Sequence, residues 1–152
     1  MSRELAFLDT CVLIDGLYKD SDHYAAARPL LDQAEHDEEA GFCISPQVLA
    51  EFYAVTTHPK RVSQPKSPSE ALEVIEQFLA MPGILLLPAP ADIVQRWIEL
   101  VRRYPHHVTN RKIFDAQIVA TMLANGVKKI YTFNITDFTP FAEITVIEPK
   151  AP

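Results

Sequence analysis

Five short apolar runs, separated for most of the chain by longer stretches with helical spacing, constrain this fold more than any other feature. The runs are 5–9 (LAFLD), 42–44 (FCI), 84–87 (ILLL), 129–133 (KIYTF) and 144–147 (ITVI). Each is too short for a helix and reads as a strand. Between them, apolar residues recur at helical intervals over about 10–19, 22–39, 46–57, 68–80, 91–104 and 111–125. Local punctuation agrees. Ser45-Pro46 supplies an N-cap and a proline at the first helical position. Ser67 with Glu70 forms a capping box, Pro105 stops a helix and Gly126 closes one. The proline-rich stretch 58–68, residues 106–110 and the polar segment after Phe133 read as loops. Strands alternating with helices predict an α/β fold with a mostly parallel sheet, in a single domain spanning 1–152. The unbroken apolar character of the runs predicts strands covered on both faces.

Composition narrows the function classes. At 48% hydrophobic and 22% charged residues, the chain has the balance of a soluble globular protein. No run approaches a membrane span and the N-terminal sequence lacks a signal-peptide pattern. With two cysteines, Cys11 and Cys43, both expected as free thiols, a reducing cytoplasm fits best. The net charge of −6 argues against a general nucleic-acid coat. Its distribution is uneven: residues 1–40 hold ten acidic and three basic side chains, so the remainder carries +1. Arg96, Arg102, Arg103, Arg111 and Lys112 face only Glu99 in their stretch, and Lys60, Arg61 and Lys66 form a smaller cluster.

Three acids sit where apolar residues belong. Asp9 ends the first strand, at the sheet edge where parallel α/β proteins bind ligands; it is equally placed to cap the following helix. Glu51 lies inside the apolar stripe of its helix, three residues after Val48 and four before Val55. A buried carboxylate needs a partner, which an arginine or a bound cation can supply. Asp115 repeats the anomaly against Ile118, Val119 and Met122, with modest help from the helix dipole. Converging acids raise one another's pKa unless a cation lies among them, and an all-oxygen set suits Mg²⁺ or Mn²⁺. The histidines show no zinc-ligand spacing, so zinc is disfavoured. A fourth contribution is expected from Asp137, ranked above Asn134 because it carries charge, with Thr132 able to hydrogen-bond an acid or a water. An Asx-rich turn is the other reading of Asn134.

The segments FLDTCVLID, SPQVLAEFYAV, IFDAQIVATMLANGVKKIYTFNITDF and the closing ITVIEP together resemble the PIN-domain nucleases. Within them they resemble the VapC-type toxins of toxin–antitoxin pairs. The matching pieces run in family order over nearly the whole chain. The resemblance implies a three-layer α/β/α sandwich with Mg²⁺ held by Asp9, Glu51 and Asp115 and supported from the 132–138 segment. It also implies RNA cleavage leaving a 5′-phosphate and a 3′-hydroxyl, a homodimer, and inhibition by a cognate VapB-type antitoxin. Two positions depart from the pattern: relatives often carry aspartate where this chain has Asn134, and serine or another small residue where it has Cys11. Cys11 reads as a packing residue, since no histidine is evidently partnered with it.

The expected chemistry is hydrolysis of a phosphodiester by a water made acidic at a metal, with Asp9 and Asp115 as ligands and Glu51 binding a second ion or orienting the water. An acidic pocket repels RNA until cations fill it. Arg102, Arg103, Arg111 and Lys112, with Lys60 and Arg61, are therefore the candidate phosphate contacts, although each alone reads as a solvated surface charge. The competing readings are a phosphoryl-transfer enzyme with Asp9 as nucleophile, a non-toxin RNA-processing nuclease and a catalytically inert binding module. The first usually wants a second acid two residues on, and here that residue is Cys11.

Overall fold

The computed structural model describes residues 4–152; Arg3, one of the bases counted above, lies outside them. In chain order the elements are β1 (Ala6–Leu8), α1 (Thr10–Asp15), α2 (Tyr24–His36), β2 (Phe42–Ile44), α3 (Pro46–Thr56) and α4 (Pro68–Ala80). They continue with β3 (Ile84–Leu86), α5 (Ile93–Arg103), a 3₁₀ turn (Asn110–Lys112), α6 (Ile113–Ala124), β4 (Lys129–Tyr131), α7 (Ile135–Phe138) and β5 (Thr145–Ile147). The five strands form one sheet in the order β3-β2-β1-β4-β5, and every pairing is parallel.

That order fixes the layers. The chain steps outward from β1 to β2 to β3, then returns past β1 to β4 and β5. Right-handed crossovers put α1–α4 on one face and α5–α7 on the other. The helix packing agrees: α1 lies against α2 and α3, α3 against α4, and α5 against α6. The result is an α/β/α sandwich. Its strand order reverses between β1 and β4, the crevice where open parallel sheets bind their ligands.

The core forms where the sheet meets both helix layers. Phe7 and Leu8 of β1, Ile44 of β2 and Ile130 of β4 are fully buried, as are Phe52 of α3 and Met122 of α6. Helix α5 turns Trp97, Leu100 and Val101 inward, so its apolar side belongs to the core. Among the described residues no helix is long and apolar enough to cross a membrane. Both cysteines are free.

Four boundaries differ from the sequence expectation, each for a packing reason. Helix α1 ends at Asp15, four residues early. A side chain at Gly16 would sit 2.4 Å from Leu31 of α2, so the chain turns there to let α2 lie close. Helix α2 ends at His36, leaving the acidic residues 37–39 outside it, and the Gly83 N–H instead donates to the Ala34 carbonyl at 2.8 Å. The helix expected from residue 111 opens as a 3₁₀ turn, with Asn110 at φ 53°. The segment expected as a polar loop contains α7, anchored by the buried Phe138. Strand β3 also departs from the expectation of cover on both faces: it is an edge strand, with Leu85 53% and Leu86 41% exposed.

Candidate active site

Strand register assembles the centre of the site. Leu8 of β1 pairs with Tyr131 of β4, so the next residues, Asp9 and Thr132, emerge side by side at the carboxyl end of the sheet. Asp9 takes the capping role that the sequence allowed it. Its Oδ1 accepts the Thr10 N–H at 2.8 Å and caps α1, while its Oδ2 accepts the Thr132 hydroxyl at 2.8 Å. It is only 5% exposed. Burial raises its pKa, opposed by the Thr132 and Thr10 hydrogen bonds and reinforced by the charge of Glu51.

Glu51 is held from both ends. Oε2 accepts the Thr10 hydroxyl at 2.9 Å, and Oε1 accepts the Gln47 amide at 3.0 Å. The same Gln47 nitrogen donates to the Phe114 carbonyl at 2.9 Å, which ties α3 to the residue before Asp115. Thus the arginine expected of an ordinary buried ion pair is replaced by neutral donors.

Asp115, half-buried in the first turn of α6, has its pKa raised to about 7. Burial is the largest cause; the charges of Asp137, Asp9 and Glu51 add to it, and only Lys112 opposes them. That coupling brings four acids from β1, α3, α6 and α7 into one neighbourhood. Among the described residues, neither Asp9, Glu51 nor Asp115 forms an ion pair with lysine or arginine. Asp137 does: its Oδ1 accepts from Lys112 Nζ at 2.8 Å. Its backbone carbonyl also lies 2.8 Å from His107 Nε2. The Asn134 side chain is exposed, and its backbone N–H donates to Thr132 Oγ1 at 2.9 Å.

Cys11 sits behind this set. Its Sγ lies 3.6 Å from Asp9 Oδ2 and from Thr132 Oγ1, and accepts the Phe133 N–H at 3.4 Å. Burial, with the Asp9 charge next, pushes the thiol up to about 12, so it stays protonated and acts as a hydrogen-bonding spacer.

The donor chemistry suits a hard divalent cation: carboxylates that repel one another, three of them without a basic partner among the described residues. Among the described residues no three acidic, histidine or cysteine side chains are already drawn into a metal-ligating cluster. The acids are therefore coupled by charge without forming a closed cage. Of the basic candidates, Lys112 reaches the acidic set. Arg103 pairs with Glu143 at 2.6 Å instead, and Arg102, Arg111, Lys60 and Arg61 are exposed.

The family model for the PIN domain matches residues 6–142. The chain belongs to the PIN domain family. This PIN domain is 28% identical over 142 residues to Ribonuclease VapC24 of Mycobacterium tuberculosis, covering 93% of this chain and 94% of that protein. Its fold is similar to the crystal structure of Mycobacterium tuberculosis VapC20, a Sarcin-Ricin loop cleaving toxin, at TM-score 0.69 and 16% identity, over 95% of this chain and 99% of that one. It is likewise similar to VapBC2 from Rickettsia felis bound to a DNA fragment from their promoter, at TM-score 0.66 and 19% identity, over 96% and 99% of the two chains.

Sequence reasoning about this PIN domain missed Gln47 and the structural work of Thr10 and Cys11. Gln47 had a signal, standing four residues before Glu51 on the same helix face. The Cys11 contacts to Thr132 and Phe133 had none, because they join the start of α1 to the chain after β4.

Proposed function

We propose that this PIN domain is a Mg²⁺-dependent endoribonuclease, the toxin of a VapBC-type toxin–antitoxin pair, acting in the cytoplasm as a homodimer. The carrying observation is the coupling of Asp9, Glu51, Asp115 and Asp137 near the carboxyl ends of β1 and β4, with no lysine or arginine among the described residues paired to the first three. The similarity to Ribonuclease VapC24 and to the Sarcin-Ricin loop cleaving toxin VapC20 supports the substrate class, and the similarity to a toxin–antitoxin complex from Klebsiella pneumoniae supports the antitoxin partner.

In this reading Asp9 and Asp115 hold the ion, Asp137 or Asn134 completes its surroundings, and Mn²⁺ can replace Mg²⁺. Bound there, Mg²⁺ supplies the acidity that makes a water nucleophilic near neutral pH and offsets charge on the phosphate. Glu51, fixed by Thr10 and Gln47, orients the attacking water or a second ion. Water adds to phosphorus as the bond to the 3′ oxygen breaks, leaving a 5′-phosphate and a 3′-hydroxyl. Lys112, already beside the acids, is the basic residue best placed to meet the phosphate; Arg111, Arg102 and Arg103 serve the more distant backbone.

The deciding experiment is cleavage of RNA by the purified protein. Cleavage with Mg²⁺, its arrest by EDTA, and its loss in Asp9→Asn and Asp115→Asn are expected. Activity surviving both substitutions would remove the acids from the mechanism, and an inert protein would favour a binding module.

A further inference from the structure

Beside the acidic set lies a flat aromatic stack that the chemistry above does not use. The rings of His23 and Phe133 face each other with centroids 4.0 Å apart and planes inclined by 12°. The core pairs behave differently: Phe52 with Phe78 and Tyr104 with Phe141 meet edge to face, at 83° and 80°. Edge-to-face contact is a common way for buried rings to fill space. A ring laid flat at the surface instead presents its open face to whatever arrives next.

Three observations give this pair a position and an outlook. Phe133 directly follows Thr132, whose hydroxyl holds Asp9 Oδ2 at 2.8 Å, and the Phe133 N–H is fixed on Cys11 Sγ at 3.4 Å. The stack is therefore anchored one residue from the support of Asp9. His23 is exposed, with one face of its imidazole against Phe133. Its backbone is held as well: the Ser21 hydroxyl donates to Asp15 Oδ1 at 2.9 Å and accepts the His23 N–H at 3.1 Å.

We propose that His23, laid on Phe133, is a stacking platform for an unpaired nucleobase adjoining the phosphate that is cut; this rests on the nuclease reading. Four carboxylates make this part of the surface unfavourable to a polyanion, so grip through phosphates is weakest where the cut must occur. Stacking is indifferent to that field. Aromatic and histidine rings hold splayed-out bases of single-stranded RNA in this way, whereas a base inside a duplex has no free face to offer.

The test is steady-state cleavage of a single-stranded RNA in Mg²⁺ by the wild-type protein, His23→Ala and His23→Phe. His23→Ala is expected to raise KM about tenfold, the effect of losing one stacked base. Its kcat stays near the wild-type value, His23→Phe restores KM, and thermal unfolding midpoints are unchanged. Unaltered KM in His23→Ala, a loss confined to kcat, or failure of the phenylalanine to rescue overturns the platform. The wild-type protein gives an independent readout, since an abasic oligomer must compete less well than its base-bearing counterpart; equal competition also overturns it. A wild-type protein that cuts RNA regardless of His23 leaves the nuclease reading intact, whereas one that cuts none removes both.

Discussion

Asp9 caps a helix, anchors a neighbouring strand through Thr132 and carries a charge in a buried place. Charge and burial conflict, and burial raises its pKa, while the two hydrogen bonds oppose that rise. Thr132→Val would leave Asp9 Oδ2 short of a buried donor. A loss of about 1–3 kcal/mol is expected in denaturant unfolding, because an unmet buried acceptor carries its desolvation cost. Asp115 gives a pH signature. Its folded pKa of about 7 lies above its ordinary 3.8, so its contribution to stability is fully present below the ordinary value and disappears as pH rises through about 7. Metal-free wild-type protein should therefore lose stability relative to Asp115→Asn across that interval, read as diverging unfolding midpoints in a pH series. The same substitution should lower RNA cleavage by at least about a hundredfold, the scale expected when a group central to charge stabilisation is removed. At this scale the acids were legible, because charge inside an apolar stripe is an anomaly in one dimension. Of their neutral partners, Thr132 was expected as a donor to an acid, whereas Thr10 and Cys11 were not. The thiol and hydroxyl contacts of Cys11 and Thr132 depend on which strand lies beside β1.

Elements show a similar division. The starts of α3 and α4 were written locally: Ser45 accepts the Val48 N–H, and Ser67 with Glu70 completes a capping box. Helix ends were less legible, since α1 stops where α2 must approach and α2 stops where the segment before β3 crosses it. Gly83 marks that crossing. A Cβ there would lie 2.6 Å from the Asp37 carbonyl oxygen and 2.8 Å from Ala34 Cα, both backbone atoms that cannot swing aside. Gly83→Ala should cost about 1–3 kcal/mol, the range for forced overpacking, with the loss read in denaturant melts. The short α7 escaped notice because four residues show no period; burial of Phe138 helps hold it in place.

At the scale of the molecule, function depends on an acidic protein tolerating a polyanion. The net charge of −6 opposes RNA, and the charges of the site's acids add to one another. Mg²⁺ should therefore stabilise the folded protein as well as activate it. At about a hundred times its Kd, a ligand bound only by the native state adds about 2.7 kcal/mol, visible as a higher melting temperature. The shift should vanish in Asp9→Asn and Asp115→Asn; a wild-type protein whose melting ignores Mg²⁺ would exclude the proposed ion. Cleavage should also weaken as salt rises, since phosphate contacts release counterions.

The sequence by itself determined the alternation of strands and helices, the starts of α3 and α4 and the presence of misplaced acids, because each is carried by neighbours in the chain. Tertiary structure alone decided that Leu8 lies beside Tyr131, and hence that Asp9 meets Thr132. It also decided that Glu51 is held by a hydroxyl and an amide, that Lys112 engages Asp137, and that His23 lies on Phe133. Parallel pairing joins residues separated by more than a hundred positions, and local pattern holds little information about which strand, in which register, will be the neighbour.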